Sequence, residues 1–264
     1  MSRIAVAFDR LKREKRRGFI PFITAGDPDL DTTRALLIEL AASGATIIEL
    51  GVPFSDPMAD GPVIQRASER ALKHGFGLAE ILDVVAQAKI DVPIVLFSYF
   101  NPLLRYGLQQ LAREARAVGV DGVLITDIPP EESLEVSATL RGKDLDMIFL
   151  VAPTSTDVRL RMIVERASGF IYAVSRAGVT GARADVSKDA EKLVARVRGL
   201  SDLPVAVGFG ISTAEQVAEV WRYADAAVVG SAIVAEIERL AGHSDIVSQI
   251  GEFARRIGGQ HRLQ

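Results

Sequence analysis

Ser43-Gly-Ala-Thr-Ile-Ile-Glu49 reads as a helix-to-strand junction, in which a glycine closes one element and β-branched residues open the next. Val118-Gly-Val-Asp-Gly-Val-Leu124 and Tyr223-Ala-Asp-Ala-Ala-Val-Val229 echo it further along the chain. The echoes fit one supersecondary unit used repeatedly, without the strict period of a solenoid. Working outward, short apolar runs of β-branched character occur at 19–24, 46–50, 94–98, 122–126, 147–151, 170–174, 205–208 and 226–229. Helical periodicity follows each, at 31–43, 63–74 and 78–89, 108–118, 131–141, 157–167, 189–199, 213–223 and from 232 onward. Strands joined by helical crossovers are parallel, and eight such units imply a closed (β/α)8 TIM barrel. Residues 1–17 alternate apolar side chains with Arg and Lys and add an extra amphipathic N-terminal helix. The alternative is a doubly wound open sheet, which needs a dinucleotide-binding glycine turn after its first strand. Thr24-Ala-Gly-Asp-Pro28 stands there instead.

The 264 residues match the usual length of such a barrel, and no linker or low-complexity stretch divides them, so residues 1–264 are read as one domain. Apolar residues make up 48% and charged residues 25%, enough for a large core and too ordered a composition for a disordered chain. A net charge of -3 offers no global field for nucleic acid or an anionic membrane, so any anion site must be local. The N-terminal stretch carries Asp9 and Glu14 and lacks the apolar core of a secretion signal. No run approaches the ~20 apolar residues of a membrane span. The absence of cysteine removes disulfides, thiolate nucleophiles and cysteine zinc sites, and fits a reducing compartment. A soluble, cytoplasmic protein is expected.

In a barrel of this kind the active site lies at the C-terminal ends of the strands. Two connections there are long and rich in Gly, Pro and Asp: Gly51-Val-Pro-Phe-Ser-Asp-Pro-Met-Ala-Asp-Gly-Pro62 and Ser175-Arg-Ala-Gly-Val-Thr-Gly-Ala-Arg-Ala-Asp185. Strand alternation places Glu49 on the face shared by Ile47 and Gly51, aimed into the barrel mouth. It is either half of a buried ion pair or a desolvated general acid/base, since burial raises a carboxyl pKa. Asp60, before Gly61-Pro62, reads first as a turn or helix-start residue and second as a catalyst. Asp56, Asp27 and Asp127 carry the same turn or cap reading. Glycine turns and helix N-termini bind phosphate through backbone amides. Gly181, Gly210 and the pair Gly230-Ser231 qualify, the latter positions following strands seven and eight, where barrel phosphate sites form; each glycine also fits a plain tight turn. Phe22, Phe97, Tyr172 and Phe209 fill core or pocket walls.

None of the seven lysines falls at the C-terminal end of an expected strand, which argues against Schiff-base chemistry. His74, His243 and His261 form no cluster for a catalytic zinc, and no metal is expected. An enzyme built on these residues that breaks a carbon-carbon bond needs a substrate that supplies its own electron sink.

The run from Glu49 to Pro62 resembles the signature of the tryptophan synthase α chain family. The resemblance extends from Phe19-Ile-Pro-Phe-Ile-Thr-Ala-Gly-Asp-Pro28 through Arg176-Ala-Gly-Val-Thr-Gly181 to Val229-Gly-Ser-Ala-Ile-Val234, nearly the whole chain. It implies retro-aldol cleavage of indole-3-glycerol phosphate to indole and glyceraldehyde 3-phosphate, in the last steps of tryptophan biosynthesis, with indole as the electron sink. On this resemblance Glu49 shuttles protons and Asp60 engages the indole N–H. The phosphate lies against Gly181, Gly210, Gly230 and Ser231, with Phe22, Tyr172 and Phe209 around the substrate. Thr180 meets Asp60 when the loop after strand six closes. The chain itself needs no cofactor; pyridoxal phosphate is expected in a partner β subunit of an α2β2 tetramer, to which Ser55, Asp56 and Pro57 signal. The rivals are another phosphate-binding barrel enzyme, such as an isomerase, and a catalytically silent subunit that only activates its partner.

Overall fold

The computed structural model describes residues 1–174, 186–208 and 210–259. Eight parallel strands close into a barrel in sequence order, each hydrogen-bonded to the next and β8 returning to β1. They are β1 (Gly18–Thr24), β2 (Ile48–Gly51), β3 (Ile94–Ser98), β4 (Val120–Ile125), β5 (Asp146–Val151), β6 (Ile171–Val174), β7 (Val205–Gly208) and β8 (Ala226–Val229). Almost every strand residue is buried, because the barrel interior takes one face and the ring of helices the other. On β1, Ile20 and Phe22 join the inner cluster while Phe19 and Ile23 join the outer one.

The chain enters through α1 (Arg3–Arg13), capped by the Ser2 hydroxyl accepting from the Ala5 amide. Its apolar stripe of Ile4, Phe8 and Leu11 belongs to the inner cluster, and the Phe8 ring lies 5.8 Å from that of Phe170. The helix therefore plugs the N-terminal end of the barrel. Burying each of these side chains contributes roughly 1.5–3 kcal/mol. Arg3 pins the plug through Ile90 and Gly119 carbonyls and the buried Asp121 carboxylate.

Alternate units are stapled at this floor. The first or second amides of odd-numbered strands donate to side chains at or just before the start of the next strand: Phe19 to Thr46, Ile94 to Asp121, Met147 to Ser168 and Val205 to Asp225. Each staple satisfies an amide at a strand end where no ladder partner continues. Asp225 also receives Arg17 and Arg198, and the Trp221 indole N–H donates to the Gly18 carbonyl at 2.8 Å.

The helices are α2 (Leu30–Ala42), α3 (Pro62–Leu72), α4 (Leu78–Ala88), α5 (Phe100–Tyr106), α6 (Leu108–Val118), α7 (Leu134–Arg141), α8 (Asp157–Arg166), α9 (Val186–Arg198), α10 (Ala214–Val220), α11 (Ser231–Leu240) and α12 (Ile246–Ile257). Three differ in kind from the sequence expectation. The short α5 was not expected. The segment 131–141 begins as a separate 3-10 turn, Pro130–Glu132, before α7. The helix from 232 onward is two helices, interrupted where Gly242 takes a left-handed φ of 85°. No helix among the described residues is long and apolar enough to cross a membrane.

Candidate active site

The candidate acid/base residues lie at the strand ends opposite the plug. Glu49 is paired in register with Phe22 on β1 and Val95 on β3, which puts it on the inner face as alternation requires. It is 1% exposed, and its Oε1 has no hydrogen-bond partner. Burial raises its pKa from 4.5 to about 8, and no cation among the described residues opposes the shift. The buried-ion-pair reading of Glu49 therefore fails: the carboxyl is desolvated and stays protonated at neutral pH.

Two glycines make room around it. A Cβ on Gly51 would stand 2.5 Å from the Phe22 ring, and one on Gly208 only 2.1 Å from the Tyr172 hydroxyl oxygen. Glycine at these inner-face positions lets both aromatic rings lie across neighbouring strands. Phe22 meets Phe97 edge-on at 5.3 Å, and Tyr172 lies near enough to Glu49 for that carboxylate's charge to push the phenol pKa further up.

Asp60 ends the loop that leaves β2. The N-cap of α3 is Gly61 and makes no side-chain cap bond, so Asp60 does not cap the helix despite its position before Gly61-Pro62. Its amide donates to the Pro57 carbonyl and its own carbonyl accepts from Gln65 Nε2 at 2.9 Å, which fixes the turn. The carboxylate is held by Tyr99, whose phenol hydrogen-bonds it while accepting the Ala59 amide at 2.8 Å. Burial raises the Asp60 pKa from 3.8 to about 6, and the Tyr99 hydrogen bond works against that rise.

Tyr99 was not singled out in the sequence, where an aromatic just past a strand reads as core. The second residue missed is Arg70 on α3. Its Nε and Nη2 clasp both oxygens of the buried Asp27 at 2.8 Å, and its Nη1 reaches Glu238 on α11 at 2.7 Å. Asp27 thus sits in the turn the sequence suggests, its amide donating to the Thr24 carbonyl, and is an ion-pair anchor as well. Arg66 adds two further bonds to Glu238, so α3 and α11 are tied together over the mouth. Each of these helices places one fully buried side chain, Ala67 and Val234, in the inner cluster, and Val63 and Ile64 of α3 pack against it as well. Asp127 takes the cap role, accepting the Phe100 amide at the start of α5.

The other expected site residues fall as follows. Gly230 is the N-cap of α11 and Ser231 its first residue, with Gly230 packed 3.5 Å (from a built Cβ) against Phe22. Gly210 follows β7 with a left-handed φ of 78° and open space where a side chain would be. Ser55 and Asp56 are exposed and joined by a 2.5 Å hydrogen bond, with Pro57 half-buried beside them. Thr180, Gly181 and Phe209 lie outside the described residues.

Comparison with known proteins identifies the family. The family model described as tryptophan synthase alpha chain matches residues 8–259. The tryptophan synthase alpha chain of Geobacter sulfurreducens is 54% identical over 241 residues, covering 90% of this chain and 91% of the relative. Among solved structures, tryptophan synthase subunit alpha from Legionella pneumophila superposes with a TM-score of 0.90 at 37% identity, covering 97% of both chains. A chain of tryptophan synthase from M. tuberculosis, in an aminoacrylate- and BRD0059-bound form, gives 0.87 at 38% identity, covering 100% of this chain and 99% of that one. With the family model spanning nearly the whole sequence, the chain belongs to the tryptophan synthase alpha chain family.

Proposed function

We propose that this chain is a lyase of tryptophan biosynthesis that cleaves indole-3-glycerol phosphate into indole and glyceraldehyde 3-phosphate, with Glu49 and Asp60 as its acid/base pair. The observation that carries the reading is the split between the two carboxyls. Burial holds Glu49 protonated up to about pH 8, while Asp60 ionises near 6, so at neutral pH one is an acid and the other an anion.

The chemistry follows from that split. Protonated Glu49 delivers its proton to indole C3, which turns the ring into a cationic electron sink. The Asp60 carboxylate accepts the indole N–H and stabilises the cation. Glu49, now a carboxylate in an apolar wall, takes the proton from the glycerol hydroxyl beside C3. The C3–carbon bond breaks, its electrons return to the ring, indole and the aldehyde leave, and Glu49 is protonated again. Proton count and charge balance without a cofactor in this chain.

Phosphate binds at the N-terminus of α11, where Gly230 and Ser231 present backbone amides, together with Gly210 and Gly181. Phe22, Tyr172 and Phe209 enclose the ring, and Thr180 closes on Asp60. A β subunit carrying pyridoxal phosphate is the partner, in an α2β2 assembly, and the exposed Asp56 and Pro57 are the coupling residues. Residues 1–264 act as one domain in the cytoplasm. The test is indole release from indole-3-glycerol phosphate by the purified protein, with and without a β subunit. Indole in either case supports the lyase; none in both ends the reading, and conversion without free indole identifies an isomerase.

A further inference from the structure

Among the described residues, four buried side-chain polar atoms lack a hydrogen-bond partner, and only two of them, Glu49 Oε1 and Thr24 Oγ1, lie at the mouth of the barrel. The reaction accounts for the first. Thr24 is 2% exposed at the last position of β1, on the same face as Phe22 and in register with Gly51. Its hydroxyl opens onto a cavity of about 10 Å³ that is also lined by Asp60, Tyr99 and Ser68, the remaining walls being carbon and one glycine. That volume holds about one water, and a buried water needs two to four polar partners. The lining offers four. A buried hydroxyl left without a partner loses its water hydrogen bonds and gains none in return, so its position calls for one.

We infer that Thr24 is a positioning residue for Asp60, holding a single water that bridges the Thr24 hydroxyl to the Asp60 carboxylate. Tyr99 fixes the carboxylate from the side of β3, and the Thr24 water fixes it from the side of β1. Between them the anion is aimed at the substrate ring. The kinetic part of this inference rests on the lyase reading; the structural part does not.

Two substitutions that differ by one oxygen test it: Thr24→Ser keeps the hydroxyl and Thr24→Ala removes it. A high-resolution crystal structure of the unsubstituted protein is expected to show an ordered water within hydrogen-bond distance of Thr24 Oγ1 and Asp60. Its absence overturns the inference whatever the activity. In indole release, Thr24→Ala is expected to lower kcat about 10-fold with KM within about 2-fold, and Thr24→Ser to stay within about 2-fold in both. Placed in an Asp60→Asn background, Thr24→Ala is expected to change kcat by less than about 2-fold, because the group it positions is already gone. A normal rate for Thr24→Ala, or the full loss repeated on top of Asp60→Asn, overturns the role. Absence of indole from the unsubstituted protein counts against the lyase reading alone, since the crystallographic arm still decides the water.

Discussion

The two ends of the barrel treat their buried and half-buried carboxyl groups in opposite ways. At the floor, Asp121 accepts the Ile94 amide and faces Arg3 at 3.3 Å, and Asp225 accepts the Val205 amide and two arginines. At the mouth, Glu49 has, among the described residues, neither a cation nor a partner for one of its oxygens, and Asp60 has a phenol in place of an arginine. An unpaired oxygen alone does not mark a catalytic site, because Asp146 at the floor has one too. What separates the mouth is that two carboxyls there are displaced by burial to either side of neutrality. The floor uses acids to hold the fold; the mouth keeps them less satisfied at some expense of stability, as the proposed lyase requires.

The largest expected effect breaks the comparison at the mouth. Glu49→Gln and Asp60→Asn each lower indole release at least ~100-fold while the far-UV spectrum stays unchanged, the usual weight of a positioned acid or base. The unsubstituted enzyme should show a bell-shaped kcat/KM, rising as Asp60 ionises near pH 6 and falling as Glu49 loses its proton near pH 8. A flat profile across that range assigns the chemistry elsewhere.

Next comes stability. Because folding raises the Glu49 pKa from 4.5 to about 8, its contribution is complete below pH 4.5 and is lost as pH rises toward 8. Denaturant melts of wild type and Glu49→Gln should diverge over that window, the variant gaining on the order of 5 kcal/mol relative to wild type by its alkaline end. If the two curves run parallel, Glu49 is not held protonated by burial.

Tyr99→Phe should have a smaller effect. The Tyr99 hydrogen bond favours ionised Asp60, so its loss raises that pKa and moves the acid limb of the profile upward. A kcat loss of about 10-fold is expected near neutral pH. An unmoved limb dissociates Tyr99 from Asp60.

The smallest effect belongs to the floor. Trp221→Phe removes the bond to the Gly18 carbonyl and should cost about 1–2 kcal/mol in a melt with kcat unchanged. A selective loss of kcat would erase the division between the two ends.

Most of the barrel was legible because a parallel strand, buried on both faces, must be apolar and β-branched, and the eight observed strands coincide with such runs. What stayed hidden has local causes. The seven residues of α5 begin just after β3 and include Asn101-Pro102, a pair that reads as a turn, and so short a helix leaves no period to detect. Glu49 was visible because alternation alone aims it inward. Asp60 looked like a cap, and only the fold shows the cap role passing to Gly61. Asp27 and Arg70 are 43 positions apart, a pairing that no local pattern carries. Tyr99 and Thr24 were missed for the same reason: their roles depend on what the closing of the barrel brings beside them.

The central claim is that burial keeps Glu49 protonated at the pH where Asp60 is already an anion. Difference infrared titration of the Glu49 carboxyl, with Glu49→Gln as the blank, tests it directly. The account predicts a protonated C=O band that persists at neutral pH and disappears with a midpoint near 8. A band already lost near the ordinary value of 4.5 would contradict it.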